Sequence, residues 1–278
     1  MKWNGFKRCL NILFFLPYFC IAQNDTNGKN ELSASLNYHS FLHYFGRTDS
    51  LKSSGVLATI GYQLPNGIYA EGTIIAISNA HTPFAYTGST IEAGYRFNQS
   101  KPISGNVFYT QFLYRDKSEL VQSAIKEQAG INAVCNNPYI HLNAGADLKF
   151  SGQIDIGASF GVDHLFLLKS PGSQISFSVT PSAYLYAGTQ NFTNSYIQKK
   201  NLPAIPVSQQ ELTQNVSAFN ILAYEFSAPL VWIYGKFKLS MTPAYVVPQH
   251  LAMVTGHREL SVQGENRFHT AVSIGIKL

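Results

Sequence analysis

A run such as YIHLNAGADLKF, residues 139–150, can fold in very few ways. Ile140, Leu142, Ala144, Ala146, Leu148 and Phe150 fall on one side of an extended chain, and His141, Asn143, Gly145, Asp147 and Lys149 on the other. The same two-residue period keeps returning. In QIDIGASFGVD, Ile154, Ile156, Ala158, Phe160 and Val162 oppose Asp155, Gly157, Ser159, Gly161 and Asp163. In STIEAGYRFN, Ile91, Ala93, Tyr95 and Phe97 oppose Glu92, Gly94 and Arg96; in IYAEGTIIA, Ile68, Ala70 and Ile74 oppose Tyr69, Glu71 and Thr73. FKLSMTPAYV sets Phe237, Leu239 and Met241 against Lys238, Ser240 and Thr242. The final run, FHTAVSIGIKL, holds the pattern from Phe268 to Leu278. Each run is a β-strand with one apolar face, a period that no helix shares.

Turn signals separate the runs: Pro65-Asn66-Gly67, Gln99-Ser100-Lys101-Pro102, Asn136-Asn137-Pro138, Lys169-Ser170-Pro171-Gly172 and Gly235. These connections are short. The alternate ones are mostly longer, at 46–54, 79–87, 116–119, 188–213 and 250–265, with Ser151-Gly152 a short exception. Twelve strands are predicted, at 32–45, 55–64, 68–78, 88–97, 104–115, 120–136, 138–150, 153–168, 174–187, 214–233, 236–248 and 266–278. The sixth overlaps DKSELVQSAIKEQAG, which also reads as a short helix with Asp116 as N-cap, Glu119 completing a capping box and Gly130 as its stop.

Long antiparallel strands with one apolar face have two main solutions. A soluble sandwich turns the apolar faces inward. A transmembrane barrel turns them out into lipid and wraps the polar faces round a lumen. The barrel is favoured here. The polar faces are rich in Gly, Ser, Thr, Asn and Tyr, connections alternate short and long, and the strand count is even. Aromatics recur near strand ends, as in an interfacial girdle (Tyr62, Tyr69, Tyr95, Phe97, Tyr186, Trp232, Tyr234, Tyr245). Closure also demands that the last strand pair with the first, because an unpaired edge in lipid leaves backbone groups unsatisfied. A chain ending flush on an amphipathic strand meets that demand.

The chain begins MKWNGFKRCLNILFFLPYFCIAQ. Lys2, Lys7 and Arg8, then an apolar stretch from Leu10 to Ile21, then Ala22, are the order of a secretory signal peptide, with cleavage expected after Ala22. Residues 23–30 read as a flexible lead-in, and 31–278 as the barrel. Losing residues 1–22 lowers the net charge from +5 to +2, so the basic balance implies no nucleic-acid partner. The exported chain keeps one cysteine, Cys135, which rules out an internal disulfide or a thiolate metal cluster. With export signal, repeated amphipathic strands and terminal strand on the page, the chain resembles the outer-membrane β-barrel proteins of Gram-negative bacteria, most closely the many small barrels of that kind. The resemblance implies an outer-membrane location, a lipid-bilayer partner, and recognition of strand 268–278 by the barrel-assembly machinery. Leu278 departs from the family's usual aromatic ending.

Chemistry-bearing motifs are sparse. GASFG, 157–161, has the G-x-S-x-G form, but a nucleophile elbow needs a strand, a sharp turn and a helix, whereas Ser159 sits in mid-strand. His39 and His43 on one strand would be about 13 Å apart, too far to share an ion. His81, His250 and His257 fall in long connections. No catalytic, cofactor or metal residue is assigned. The candidate site is instead the set of charges on polar faces: Glu71, Glu92, Arg96, Asp147, Lys149, Asp155, Asp163, Glu225 and Lys238. Glu71, Glu92 and Arg96 are expected to meet inside the barrel, and Asp147, Lys149 and Asp155 to lie near one mouth. Such charges either line a solute path or fill a narrow lumen as ion pairs. Segment 188–213 is expected to be a plug, a binding loop or a plain external loop. The function expected is a non-enzymatic small-solute channel or envelope scaffold. A barrel hydrolase and a secreted soluble β-sandwich are the alternatives.

Overall fold

The computed structural model describes residues 30–49, 51–99, 101–115, 118, 120–169, 175–200, 216–252 and 263–278, with the side chains of 169, 198–200 and 263 excepted. In chain order its elements are β1 (Glu31–His39), β2 (Arg47–Thr48), β3 (Ser54–Gln63), β4 (Ile68–Ser78), β5 (Ala85–Phe97), β6 (Ile103–Tyr114), a 3₁₀ turn (Val121–Ala124), β7 (Glu127–Asn136), β8 (His141–Phe150), β9 (Ile154–Asp163), β10 (Phe166–Lys169), β11 (Ile175–Val179), β12 (Ser182–Gly188), α1 (Phe192–Lys200), β13 (Asn220–Ser227), β14 (Leu230–Tyr234), β15 (Phe237–Pro248), β16 (Gln263–Gly264) and β17 (Arg267–Lys277).

All but β2 and β16 join one antiparallel sheet that closes on itself. It has twelve staves, because β9 with β10, β11 with β12, and β13 with β14 each form one interrupted stave. The seam is β1 on β17, in register from Ser33 opposite Lys277 to His39 opposite Ala271. Leu278 N–H donates to Leu32 O at 2.8 Å, and Lys277 Nζ lies 2.5 Å from Glu31 Oε2. The last residues of the chain thus satisfy the first stave, as closure requires.

The apolar faces point outward. Leu36, Ile60, Ile74, Ile91, Ile156 and Ile274 are each more than half exposed, whereas Thr59, Thr73, Thr90, Ser159 and Ser273 between them are buried. A stacked two-layer sandwich would bury the first set, so that alternative is overturned. Staves such as β5, with 13 residues, and β6 and β15, with 12 each, exceed the 9–11 or so residues needed to cross a bilayer at a tilt. The aromatic girdle needs correcting at two positions. Tyr62, Tyr95, Trp232, Tyr234 and Tyr245 are outward and exposed, but Tyr69 and Tyr186 are 3% and 6% exposed and point into the lumen.

The three interrupted staves share a cause. Their breaks fall at neighbouring positions, where Pro181, Pro229 and Pro243 occupy consecutive staves. His164 N–H donates to Pro181 O at 3.2 Å, Thr180 to Pro229 O at 2.9 Å and Ala228 to Pro243 O at 3.1 Å. Proline cannot return the N–H that a ladder needs, so the missing bonds line up as a crease across the wall.

Three expected strands are shorter than expected; the tenth, expected from 214, begins at Asn220. The sixth begins at Glu127, after a 3₁₀ turn and not the longer capped helix; Asp116 and Glu119 lie outside the described residues. The first ends at His39, not 45. Beyond Ser40 the chain turns into the barrel as a strap, where Tyr44 and Arg47 exchange backbone hydrogen bonds of 2.7 and 2.9 Å. Phe45 and Gly46 between them have φ of 52° and 72°, the mirror-image turn that suits a tight two-residue hairpin. The strap's β2 pairs with β16.

Candidate functional site: a plugged polar lumen

At the turn end, Arg96 Nη2 lies 2.9 Å from Glu71 Oε1, and Arg96 Nη1 donates to Gln63 Oε1. The same guanidinium sits 4.2 Å over the Tyr69 ring. Tyr69 Oη donates to Glu92 Oε1 at 2.9 Å and accepts from Asn106 Nδ2 at 3.1 Å. Thr110 Oγ1 donates to Glu92 Oε2 at 2.8 Å, and Asn132 Nδ2 donates to Asn106 Oδ1 at 3.1 Å. One network therefore runs across five adjacent staves, from β3 to β7. It can form because β5 carries glycine opposite the tyrosine: a methyl on Gly94 would sit 2.6 Å from Tyr69 Oη. On the next two staves, β8 and β9, Asp163 accepts from Asn143 Nδ2 at 2.6 Å and lies 2.8 Å from His141 Nδ1.

The long-connection mouth is filled by a folded plug. Tyr44 and Phe45 of the strap, Val121, Ala124 and Ile125 of the 3₁₀ turn, and Phe192 and Tyr196 of α1 pack together. They rest on Tyr184, Tyr186, Leu222, Ala223 and Val246 from the wall. Tyr44 meets Phe192 edge to face at 5.0 Å, and Phe45 meets Tyr186 at 5.3 Å. This is a small hydrophobic core built inside a barrel, and it excludes water from the polar groups beneath it.

Two charged side chains hold the plug. Arg47 is fully buried and donates to the carbonyls of Phe45 and Leu222, both at 3.1 Å, of Gln249 at 2.9 Å and of His250 at 3.4 Å, and to Gln190 Oε1 at 2.6 Å. Burial pulls its guanidinium down to about 10, and Tyr44 opposes that shift. Asp155, also fully buried, accepts from Thr189 Oγ1 at 2.7 Å and from the backbone N–H groups of Asn191 at 2.5 Å and Phe192 at 2.7 Å. A wall carboxylate thus occupies the N-terminus of α1, where the helix's open amides and dipole favour an anion.

The nine sequence-derived charges fall into six settings. Glu71 and Arg96 pair directly, and Glu92 lies one stave on in the same network. Asp147 pairs with Lys149 near the plugged mouth, and Lys149 lies 5.8 Å over the Phe45 ring. Asp155 does not join that pair through a salt bridge; it caps α1. Asp163 binds His141 and Asn143, and Lys238 is half-buried toward the turn end, opposite Ile233 and Gly275. Glu225 stands apart, beneath the strap, beside His43 and His269. β1 ends at His39 and the strap bends the chain inward beyond it, so the continuous strand assumed for His39 and His43 does not hold. His43 Nε2 lies 3.1 Å from His269 Nε2. Segment 188–213 contributes α1 to the plug, and its residues 201–213 lie outside the described residues, as does His257. Ser159 runs straight through β9, facing the lumen opposite Tyr186, with no elbow around it.

Sequence reasoning missed Arg47, Gln190, His269 and Tyr69. The signal for Tyr69 was present, since it alternates with Glu71. No local pattern marks the others; tertiary folding of the strap brings them together.

No family model matches the chain, and neither does any curated protein sequence. Solved structures do match in fold. The KdgM porin superposes over 88% of this chain and 98% of its own at 7% identity, with a TM-score of 0.50. The NanC porin covers 89% of this chain and all of its own at 9% identity, TM-score 0.47. An outer-membrane channel from Pseudomonas putida F1 covers all of both chains at 10% identity, TM-score 0.49. The chain therefore has the closed antiparallel barrel fold of the KdgM porin, with its apolar girth turned outward.

Proposed function

We propose that this chain is a non-enzymatic outer-membrane channel for small solutes, held closed at one mouth by its own plug. The observation that carries the reading is a continuous polar lumen inside an apolar girth, blocked by loops rather than by the wall. Twelve staves enclose more space than the small filled barrels and less than the open porins of 16 or more strands. The long connections face outward from the cell, the short turns face the periplasm, and residues 1–22 direct export as a cleaved signal. Strand 268–278, whose last residues close the seam, is the segment offered to the assembly machinery. The porin fold named above supports this reading.

Planar-bilayer recording of the purified barrel tests it. The native chain is expected to give rare, small openings, and Arg47→Met frequent ones, because the substitution loosens the plug and leaves the wall intact. Silence from both would sink the channel. The packed mouth would then favour the second reading, an envelope scaffold whose interior serves stability alone.

A further inference from the structure

We infer that His43, His269 and Glu225 form a binding site for one divalent transition-metal cation, beneath the strap in the plugged half of the lumen. Their nearest ligand atoms all lie within 4.8 Å of one another, and the two imidazole Nε2 atoms are 3.1 Å apart. Two Zn–N bonds of about 2.0–2.1 Å span such a gap at an angle of roughly 100°, close to tetrahedral. Two imidazoles and one carboxylate suit Zn²⁺ and its neighbours rather than Ca²⁺ or Mg²⁺. Three protein ligands leave one position open to water.

Glu225 makes no hydrogen bond or ion pair with another described residue. His269 is only 9% exposed, and among the described residues the hydrogen-bond partner of its Nε2 is His43 Nε2. A carboxylate facing two imidazoles in this way calls for a cation or water between them. The ligands come from three distant parts of the chain: the strap, β13 and β17. A cation there would tie the strap to the wall on both sides of β15.

The proton positions make loading a structural event. Gly46 N–H donates to His43 Nδ1 at 3.1 Å, which leaves the proton of the neutral ring on Nε2, directed at His269. A cation needs that Nε2 lone pair. Binding therefore moves the His43 proton to Nδ1 by exchange with solvent, with no net proton released, and Gly46 N–H loses its acceptor. Metal loading and the turn of the strap are coupled.

The test uses untagged full-length barrel in detergent, stripped with chelator, then titrated with Zn²⁺ by calorimetry and with Co²⁺ by visible spectroscopy. One cation per chain and an intense Co²⁺ band of four-coordinate N/O ligation are expected. His269→Ala and Glu225→Gln should each weaken binding by about tenfold or more, since even outer-shell changes cost 10–100-fold. The Gly46 amide should exchange faster in the loaded state. Retention of the heat-dependent gel shift certifies the barrel, and the isosteric Glu225→Gln decides if the alanine variant does not fold. Absence of saturable binding, binding unchanged in a folded variant, or an unchanged Gly46 amide would overturn the site.

Discussion

Arg47 is a buried cation whose described partners are four carbonyls and one amide oxygen rather than a carboxylate. It therefore works as a multiple donor that ties the strap to β13, to Gln190 two residues before α1, and to the two residues that follow β15. Arg47→Met is roughly isovolumetric but orphans those acceptors, at about 1–3 kcal/mol for each that water cannot reach. The expected outcome is faster proteolysis of the 189–219 connection with the barrel's own unfolding midpoint little changed. Asp155 acts at a different link, on helix stability. Asp155→Asn keeps the shape and removes the charge that α1 caps itself with. A loss of about 1–2 kcal/mol in local opening should appear as faster amide exchange at Asn191 and Phe192, and unchanged exchange there would refute the capping role. Phe45 shows the cost of the design. A bulky residue at φ 52° is strained, and its burial against Tyr186 is what offsets the strain.

At the scale of the strand, facing decides everything. Ile274 on β17 is 56% exposed on the lipid side, and its neighbour Ser273 is 5% exposed on the other. Ile274→Arg places a charge in hydrocarbon, and a loss of about 2–4 kcal/mol is expected near the bilayer midplane, measured by denaturant unfolding in vesicles. A cost near zero would mean that this face does not meet lipid. Such facing was legible in sequence because period two needs no tertiary information: Leu142 and Asn143, or Ile156 and Ser159, declare their sides by parity alone. Where parity continued past the true end of a strand it misled. Leu36 and Tyr38 are outward, and extending that phase to Tyr44 predicted more wall where the chain makes a hairpin. Phe45-Gly46 is a weak turn signal beside Asn-Gly, and burial of Phe45 against Tyr186 is what holds it. The plug was unreadable for the same reason. Its members are scattered over three connections, and none carries a pattern that names the others. The proline crease was readable only in part, because sequence shows each proline but not that three lie side by side.

At the scale of the molecule, the structure separates two kinds of cohesion. The wall is held by backbone ladders between consecutive staves plus one long-range seam. The plug is held by side chains from residues 41–47, 121–125, 192–197, 222–223 and 246. Nearly all wall pairings are sequence-local and nearly all plug contacts are not, so loosening the plug and unfolding the wall are expected to be separable transitions. Their order in time follows from the seam. The strap leaves the very first stave and comes to rest in a space that exists only once β17 has docked beside it. Contacts of such high sequence separation form slowly. A newly made barrel would therefore pass through an interval, after insertion and before maturation, in which it is whole in outline and still leaky.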